Sequence, residues 1–206
     1  MRIAITVCID YSDFLSITLP NNRPLFDMFV IVTEEKDVNT IRIAEAHNCF
    51  LILTNLKHAF GANFNKSAMI FSAQKYLHEK YPEAWMCMLD ADIVVPEMFQ
   101  HTDCASLDTS CMYGLRRYDF ETKEDWLQGK NCRGYPLFDP SSIYGYFQLY
   151  YDKTKFYPET SQDCRDCDTI FQTLFETKRE LSTEYAVAHL GFPAINWNGR
   201  VTERWD

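Results

Sequence analysis

Along its N-terminal part the chain switches repeatedly between two hydrophobic periodicities, and that alternation constrains its fold more than any other feature. Residues 2–9 form an apolar run of strand length. Residues 12–20 suit a short helix ended near Pro20. Residues 26–33 are a second apolar run. Residues 37–48 follow a helical pattern, with Val38, Ile41, Ala44 and Ala46 apolar, Asp37 as N-cap and Asn48 closing it. Residues 49–53 read as a third strand. Residues 65–80 read as an amphipathic helix carrying Ala68, Met69, Phe71, Ala73, Tyr76 and Leu77 near helical spacing, with Pro82 after its end. Residues 85–89 are the fourth and most apolar strand. Strand, helix, strand, helix, strand is the pattern of a doubly wound parallel sheet flanked by helices.

The remainder is less regular. Residues 111–116 and 143–151 read as strands, and 184–189 as a last short strand. Residues 119–140, rich in charge, Gly and Pro, are expected to run over the surface as a long excursion. Residues 168–178 read as a helix with Phe171, Leu174 and Phe175 on one face. No internal repeat is visible. No G-x-G-x-x-G follows the first strand, so a nicotinamide or flavin site of the Rossmann type is not expected.

The fourth strand ends in Asp90-Ala91-Asp92, followed by Ile93-Val94-Val95-Pro96. Asp is rarely placed at the end of a buried strand without a partner, because burying a charge is costly. A divalent cation with oxygen ligands is the simplest partner for two such carboxylates. Ligands of open α/β sheets sit at the carboxyl ends of the strands, and a diphosphate suits a hard cation there. The bland reading is a chance Asp-x-Asp in a loop. Its place after the most apolar strand argues against that.

Composition narrows the partners. At 206 residues a single domain covering 1–206 is expected. The net charge of −9, with Lys and Arg scattered, excludes a basic face for nucleic acid or anionic lipid. No apolar run is long enough for a transmembrane helix, and the N-terminal run is too short for a signal peptide. Of eight cysteines, Cys8, Cys49, Cys87 and Cys111 lie in apolar strand-like runs. Free thiols and a reducing compartment are therefore expected, the cytoplasm, or the host's cytoplasm if the chain is virus-encoded. Cys164 and Cys167 form a C-x-x-C without the second pair a zinc ribbon needs.

With these segments placed, the chain resembles the GT-A glycosyltransferases, family 2-like enzymes with an Asp-x-Asp metal motif. Five segments match in order: Met28-Phe29-Val30-Ile31-Val32-Thr33; Asn63-Phe64-Asn65-Lys66, similar to an "FNKG" segment; Leu89 to Pro96, similar to "LDADIVLP"; Gly145-Tyr146-Phe147-Gln148-Leu149; and His189-Leu190-Gly191 with Asn196-Trp197-Asn198-Gly199-Arg200, similar to "HLG…NW.GR". Ser67 stands where the family usually has Gly. The resemblance implies a Rossmann-like, mostly parallel central sheet flanked by helices, with 1–100 as the nucleotide-binding half and 101–206 as the acceptor-side half. It also implies a metal-dependent glycosyltransferase of hexosyltransferase type, moving a sugar from a nucleoside-diphosphate sugar, UDP-sugar first, to a hydroxyl of a glycan or glycoprotein.

Roles follow residue by residue. Asp92 and His189 would ligate Mn²⁺ or Mg²⁺, with Asp90 sharing the metal or accepting from the ribose; the imidazole favours Mn²⁺. The bland reading of His189 is a hydrogen-bonded histidine at a strand end. Lys66 sits in a helix's first turn, where the helix dipole disfavours a cation unless an anion is near; otherwise it is an ordinary surface lysine. Arg200 could close over the diphosphate. Thr6, Cys8 and Asp10 after strand one, and Thr33 and Glu34 after strand two, are candidate base and ribose contacts, with Glu34 alternatively a solvated turn residue. The other histidines (47, 58, 78, 101) lie in polar contexts with no assigned role. Trp126, Tyr135, Tyr144, Tyr146 and Trp197 could offer a face to a sugar ring, though aromatics are more often core.

Inversion at the anomeric centre needs a carboxylate base. Asp166 and Asp168, in the acidic run leading into the helix near residue 170, are the candidates, and one of them is expected to cap that helix. The alternatives are a retaining, glycogenin-like transferase and a non-catalytic nucleotide-sugar-binding domain. A nucleotidyltransferase would carry a Gly-rich, basic signature after strand one, which Tyr11-Ser12-Asp13 is not. The chain stops directly after the closing motif, so it is also expected to suit a place within a longer polypeptide.

Overall fold

The computed structural model describes residues 1–130, 133–135, 139, 143–159, 166–191 and 200–205. The alternation seen in the sequence becomes β1 (Arg2–Val7), α1 (Ser12–Asn22), β2 (Met28–Thr33), α2 (Val38–Ala46), β3 (Phe50–Leu53), α3 (Lys66–Lys80) and β4 (Trp85–Leu89). Then come β5 (Ile93–Val94), β6 (Met112–Gly114), β7 (Arg116–Phe120), α4 (Lys123–Gln128), β8 (Arg133–Tyr135), β9 (Phe147–Tyr150), α5 (Cys167–Thr173), β10 (Lys178–Glu180) and β11 (Ala186–Leu190).

These strands form a seven-stranded sheet, β10-β6-β9-β4-β1-β2-β3, and a four-stranded sheet, β5-β11-β7-β8. In the larger one β1 lies parallel to β2 and β4, and β2 parallel to β3; β9 runs antiparallel between β4 and β6. The architecture is therefore mixed α/β with a mostly parallel central sheet flanked by helices. Both faces of that sheet are covered, which is why its strands read as continuous apolar runs rather than alternating ones. Ile3, Ile5 and Val7 of β1 pack with Met69, Ala73 and Leu77 of α3, while Ala4 joins Leu15, Leu19 and Ala44 on the other face.

The helices begin where their caps say. Asp37 accepts from Thr40 N (3.2 Å), and Asn65 accepts from Ala68 N (2.9 Å). Other expectations need correction. The first helix continues through Pro20 to Asn22, because Asn22 is buried and bonds Ile93 O (2.7 Å) and Val95 N (2.8 Å). Those two tertiary bonds outweigh one missing N–H in the last turn.

The single strand expected over 111–116 is two strands in two sheets, parted at the buried Leu115. The stretch 119–140 is no plain excursion. It completes β7, forms α4 and supplies β8. Thr122 Oγ1 accepts from Asp125 N (3.1 Å), and Gly129 closes α4 at φ 66°. The helix expected over 168–178 ends at Thr173, since by Thr177 the chain is already hydrogen-bonded to Met112 (3.1 Å) in the sheet.

His78, taken from the sequence as a polar-context histidine, is buried. Its Nδ1 lies 3.1 Å from Lys153 O and its Nε2 lies 3.2 Å from the Tyr150 hydroxyl, to which Gln74 Nε2 donates (2.7 Å). Among the described residues six cysteines are free thiols: Cys8, Cys49, Cys87, Cys104, Cys111 and Cys167. Cys164, the other half of the C-x-x-C, lies outside the described residues. No helix among the described residues is long and apolar enough to cross a membrane.

Candidate active site

The turn between β4 and β5 carries Asp90 and Asp92 at the carboxyl end of the central sheet. It is pinned from three sides. Thr18 Oγ1 donates to Ala91 O (2.8 Å), Ile93 N to Asp90 O (3.3 Å) and Leu190 N to Asp92 O (2.8 Å). The last bond comes from β11, where His189 stands opposite Ile93 on one side and Asp119 on the other. Sheet pairing thus brings together two residues far apart in sequence: His189 Nε2 lies 3.6 Å from Asp92 Oδ2. Its Nδ1 lies 3.1 Å from Asp119 Oδ1, and Arg117 Nε lies 2.9 Å from that same oxygen.

Across the turn, Lys66 begins α3. Its Nζ donates to Asp90 Oδ1 (2.6 Å) and stands 3.7 Å from Asp168 Oδ1. Two carboxylates therefore supply the negative charge that a lysine in a first helical turn requires. Asp168 is in the first turn of α5, against Gly145 and beside the Tyr157 hydroxyl (3.0 Å). That hydroxyl also bonds Gln148 Oε1 (2.5 Å), while Gln148 Nε2 donates to Ile143 O (2.8 Å).

Burial sets the electrostatics. Burial works against the Lys66 charge, but Asp168 and Asp90 outweigh it and hold the ammonium well above the ordinary lysine range. Burial, with Asp92 and Asp168 adding to it against Lys66, raises Asp90 to about 6. Asp92 goes the other way: His189 overcomes the burial penalty and holds it below the usual carboxylate value. Burial also opposes charge on His189, yet Asp92, with Asp119, lifts it to about 9. Two carboxylates two residues apart are thus pushed in opposite directions by their neighbours.

Among the described residues no three His, Cys, Asp or Glu side chains already surround one point. Two observations bear on a cation. Asp92 Oδ1 is buried without a hydrogen-bond partner among the described residues, a costly state that a cation relieves. Two ligands on one ion at bond lengths of roughly 2.0–2.2 Å stand roughly 3.0–3.6 Å apart, and His189 Nε2 and Asp92 Oδ2 are 3.6 Å apart. Asp92 and His189 therefore fit a divalent ion as two protein ligands. Asp90, committed to Lys66, does so less directly.

The other expected residues are placed differently. Asp166 is exposed at the N-cap position of α5, and its side chain makes no capping bond; Asp168 does not cap either. The Cys8 thiol faces Thr40 Oγ1 (3.5 Å), and burial pushes it up to about 12. Thr6 and Thr33 lie near the carboxyl ends of β1 and β2, with buried hydroxyls that have no hydrogen-bond partner among the described residues. Glu34 lies 3.4 Å from Lys36 and 3.9 Å from Lys57.

Arg200 is not an open hand. It grips the buried Asp13 through two bonds (2.6 and 2.7 Å), donates to Asp10 O (2.8 Å) and stacks 4.5 Å over the Tyr11 ring. A diphosphate contact would require it to leave that clamp. Asp10, at φ 62°, pairs with Arg204, and its backbone N–H donates to Asp37 Oδ2 (3.0 Å). Trp126 packs on Phe120 and Tyr146 bonds Leu115 O (2.7 Å), so both are structural; Tyr144 is 51% exposed. The side chains of Tyr135 and Trp197, with Asn196, Asn198 and Gly199, lie outside the described residues. Sequence reading gave no role to Asp13, Asp119, Gln148 or Tyr157; Gln148 lies in the matched segment 145–149, but its bond to Tyr157 depends on a contact the segment does not show.

No family model matches the chain, and no curated protein does. Solved structures similar to it include a CTP:phosphocholine cytidylyltransferase from Streptococcus pneumoniae (10% identity, 91% of this chain and 92% of that one, TM-score 0.49). Another is glucosyl-3-phosphoglycerate synthase from Mycobacterium tuberculosis, in complex with Mn²⁺, uridine diphosphate and glucosyl-3-phosphoglycerate (10%, 93% and 73%, 0.47). A third is a glycosyltransferase involved in glycosylation of the major capsid of PBCV-1 (10%, 92% and 92%, 0.36). At such identities and scores, the chemistry has to be argued from the chain's own side chains.

Proposed function

We propose that the chain is a metal-dependent glycosyltransferase of the GT-A type, transferring a sugar with inversion from a nucleoside-diphosphate sugar to an acceptor hydroxyl. One observation carries the reading: Asp92 and His189 meet 3.6 Å apart at the carboxyl end of the sheet, with Asp90, Lys66 and Asp168 grouped beside them. A Mn²⁺ or Mg²⁺ ion held there by Asp92 and His189 would supply Lewis-acid stabilisation of the departing diphosphate. Lys66 adds a fixed positive charge at a helix start, suited to phosphate oxygens. Thr6, Thr33 and Glu34, at the neighbouring strand ends, are the candidate nucleoside contacts.

Asp168 is the better placed of the two candidate bases. Its side chain is 19% exposed, open enough to meet a hydroxyl, and Tyr157 and Gly145 fix its position. In the transfer the bond from anomeric carbon to diphosphate oxygen breaks as the acceptor oxygen bonds from the opposite face. Asp168 takes the acceptor's proton. The Lys66 ammonium stands 3.7 Å from Asp168 Oδ1.

The test is a thermal-shift screen of nucleoside-diphosphate sugars with and without Mn²⁺, since a ligand of the native state raises its melting temperature. A Mn²⁺-dependent shift by one donor, lost in Asp92→Asn, is expected. Equal shifts with chelator present would overturn metal dependence. A product that retains the donor's anomeric configuration by NMR would overturn Asp168 as base.

A further inference from the structure

Asp119 is fully buried, and the roles assigned so far do not use it. The parallel pairing of β7 with β11 sets it directly across from His189. Its Oδ1 lies 3.1 Å from His189 Nδ1 and 2.9 Å from Arg117 Nε. A carboxylate with no access to water needs positive neighbours, and these two are at hand. Arg117 is itself held, its guanidinium 5.0 Å from the centre of the Tyr146 ring, while the Tyr146 hydroxyl is anchored on Leu115 O (2.7 Å). The far side of the imidazole faces Asp92 at 3.6 Å, beyond good hydrogen-bond length. One ring nitrogen thus faces a buried carboxylate at 3.1 Å, and the other is turned toward the turn that carries Asp92.

We propose that Asp119 is the positioning residue of His189, fixing the ring so that Nδ1 carries the proton and Nε2 is the nitrogen offered to a divalent cation shared with Asp92. This rests on the cation reading of Asp92 and His189. A carboxylate behind a ligating imidazole sets both its tautomer and its orientation, and losing one typically costs 10–100-fold in metal affinity. Nothing in the local sequence, Tyr118-Asp119-Phe120, marks the residue. Only strand register reveals it.

The test uses the full chain and Mn²⁺ alone, titrated by the electron paramagnetic resonance signal of the free ion. Asp119→Asn is expected to weaken Mn²⁺ binding by about 10–100-fold in protein that is still folded by circular dichroism. A purely structural role would lower the melting temperature and leave that affinity unchanged, and this result would overturn the proposal alone. If wild type binds no Mn²⁺, or His189→Ala binds it as wild type does, the reading of the metal site falls and the proposal falls with it. Should Asp119→Asn fail to fold, nitrogen-15 spectra of wild type loaded with diamagnetic Zn²⁺ decide. A protonated Nδ1 with a metal-bound Nε2 supports the proposal, and the reverse tautomer overturns it.

Discussion

Replacing Gly145 with Ala tests the seat of Asp168 without touching any charged group. A Cβ at Gly145 would lie 2.2 Å from the Asp168 Cγ and 2.3 Å from each carboxylate oxygen. Ordinary contacts begin at roughly 3.5 Å, so the carboxylate must retreat by about 1 Å. It then leaves the Tyr157 hydroxyl, now at 3.0 Å, and the Lys66 ammonium, now at 3.7 Å. Overpacking of this kind costs about 1–3 kcal/mol. For a chain of this size each kcal/mol lowers Tm by roughly 2–4 °C, giving a fall of about 3–10 °C. A misplacement of about 1 Å at a reacting group costs roughly 10²-fold in rate. The assay is release of nucleoside diphosphate from the donor, with water standing in for the acceptor, alongside calorimetric titration of the nucleotide with Mn²⁺. Turnover should fall while nucleotide affinity stays at the wild-type value, because Asp92 and His189 are untouched. Wild-type turnover and Tm together would refute the claim that Gly145 seats Asp168.

Three further outcomes follow from the geometry. Asp168→Asn should cut kcat by about 10²–10⁴ with nucleotide affinity retained, whereas Asp166→Ala, exposed and making no cap bond, should stay within about 0.5 kcal/mol of wild-type stability and keep its turnover; steady-state kinetics and urea titration read both. Arg200→Ala removes two charge-assisted bonds (2.6 and 2.7 Å) from the buried Asp13 carboxylate and leaves it the Trp205 N–H (2.8 Å), so denaturant unfolding should show a loss of about 1.5–3 kcal/mol. His78, which burial lowers to about 4, stays neutral in the fold while the unfolded chain protonates near 6.5. Its stabilisation is therefore present above pH 6.5 and lost as pH falls toward 4. Between pH 7 and pH 5 wild type should lose about 2 kcal/mol more than His78→Gln in urea titrations.

Much of the fold was legible because the relevant signals are local. Asp37 and Asn65 announced their helices, and the apolar runs of β1 to β4 announced a sheet buried on both faces. The stretch 119–140 is expected from its charge, Gly and Pro to be an excursion, yet Thr122 and Asp125 cap α4 and Gly129 closes it. The antiparallel β9 and the second sheet were not legible. β5 has two residues and β10 three, too short for any periodicity, and each exists only because a partner strand lies beside it. Within the site, Asp90, Asp92, Lys66, Asp168 and His189 could be picked out by residue type and position. The actual partner of Lys66, a pair of carboxylates, could not, and neither could the commitment of Arg200 to Asp13. Both depend on contacts between segments far apart along the chain.

Strand β11 lies between β5 and β7, both of which precede it in the chain. Until it docks, those two strands have open edges separated by the width of one strand, and open edges are templates for wrong pairing. A contact between such distant segments carries a closure entropy that local pairings do not. His189 arrives with β11. Closing the small sheet and delivering the imidazole to Asp92 are therefore a single event. A chain stalled or cleaved before residue 186 would lack His189 and leave both edges exposed, so the Asp92–His189 pair and the closed strand edges arrive together in the finished molecule.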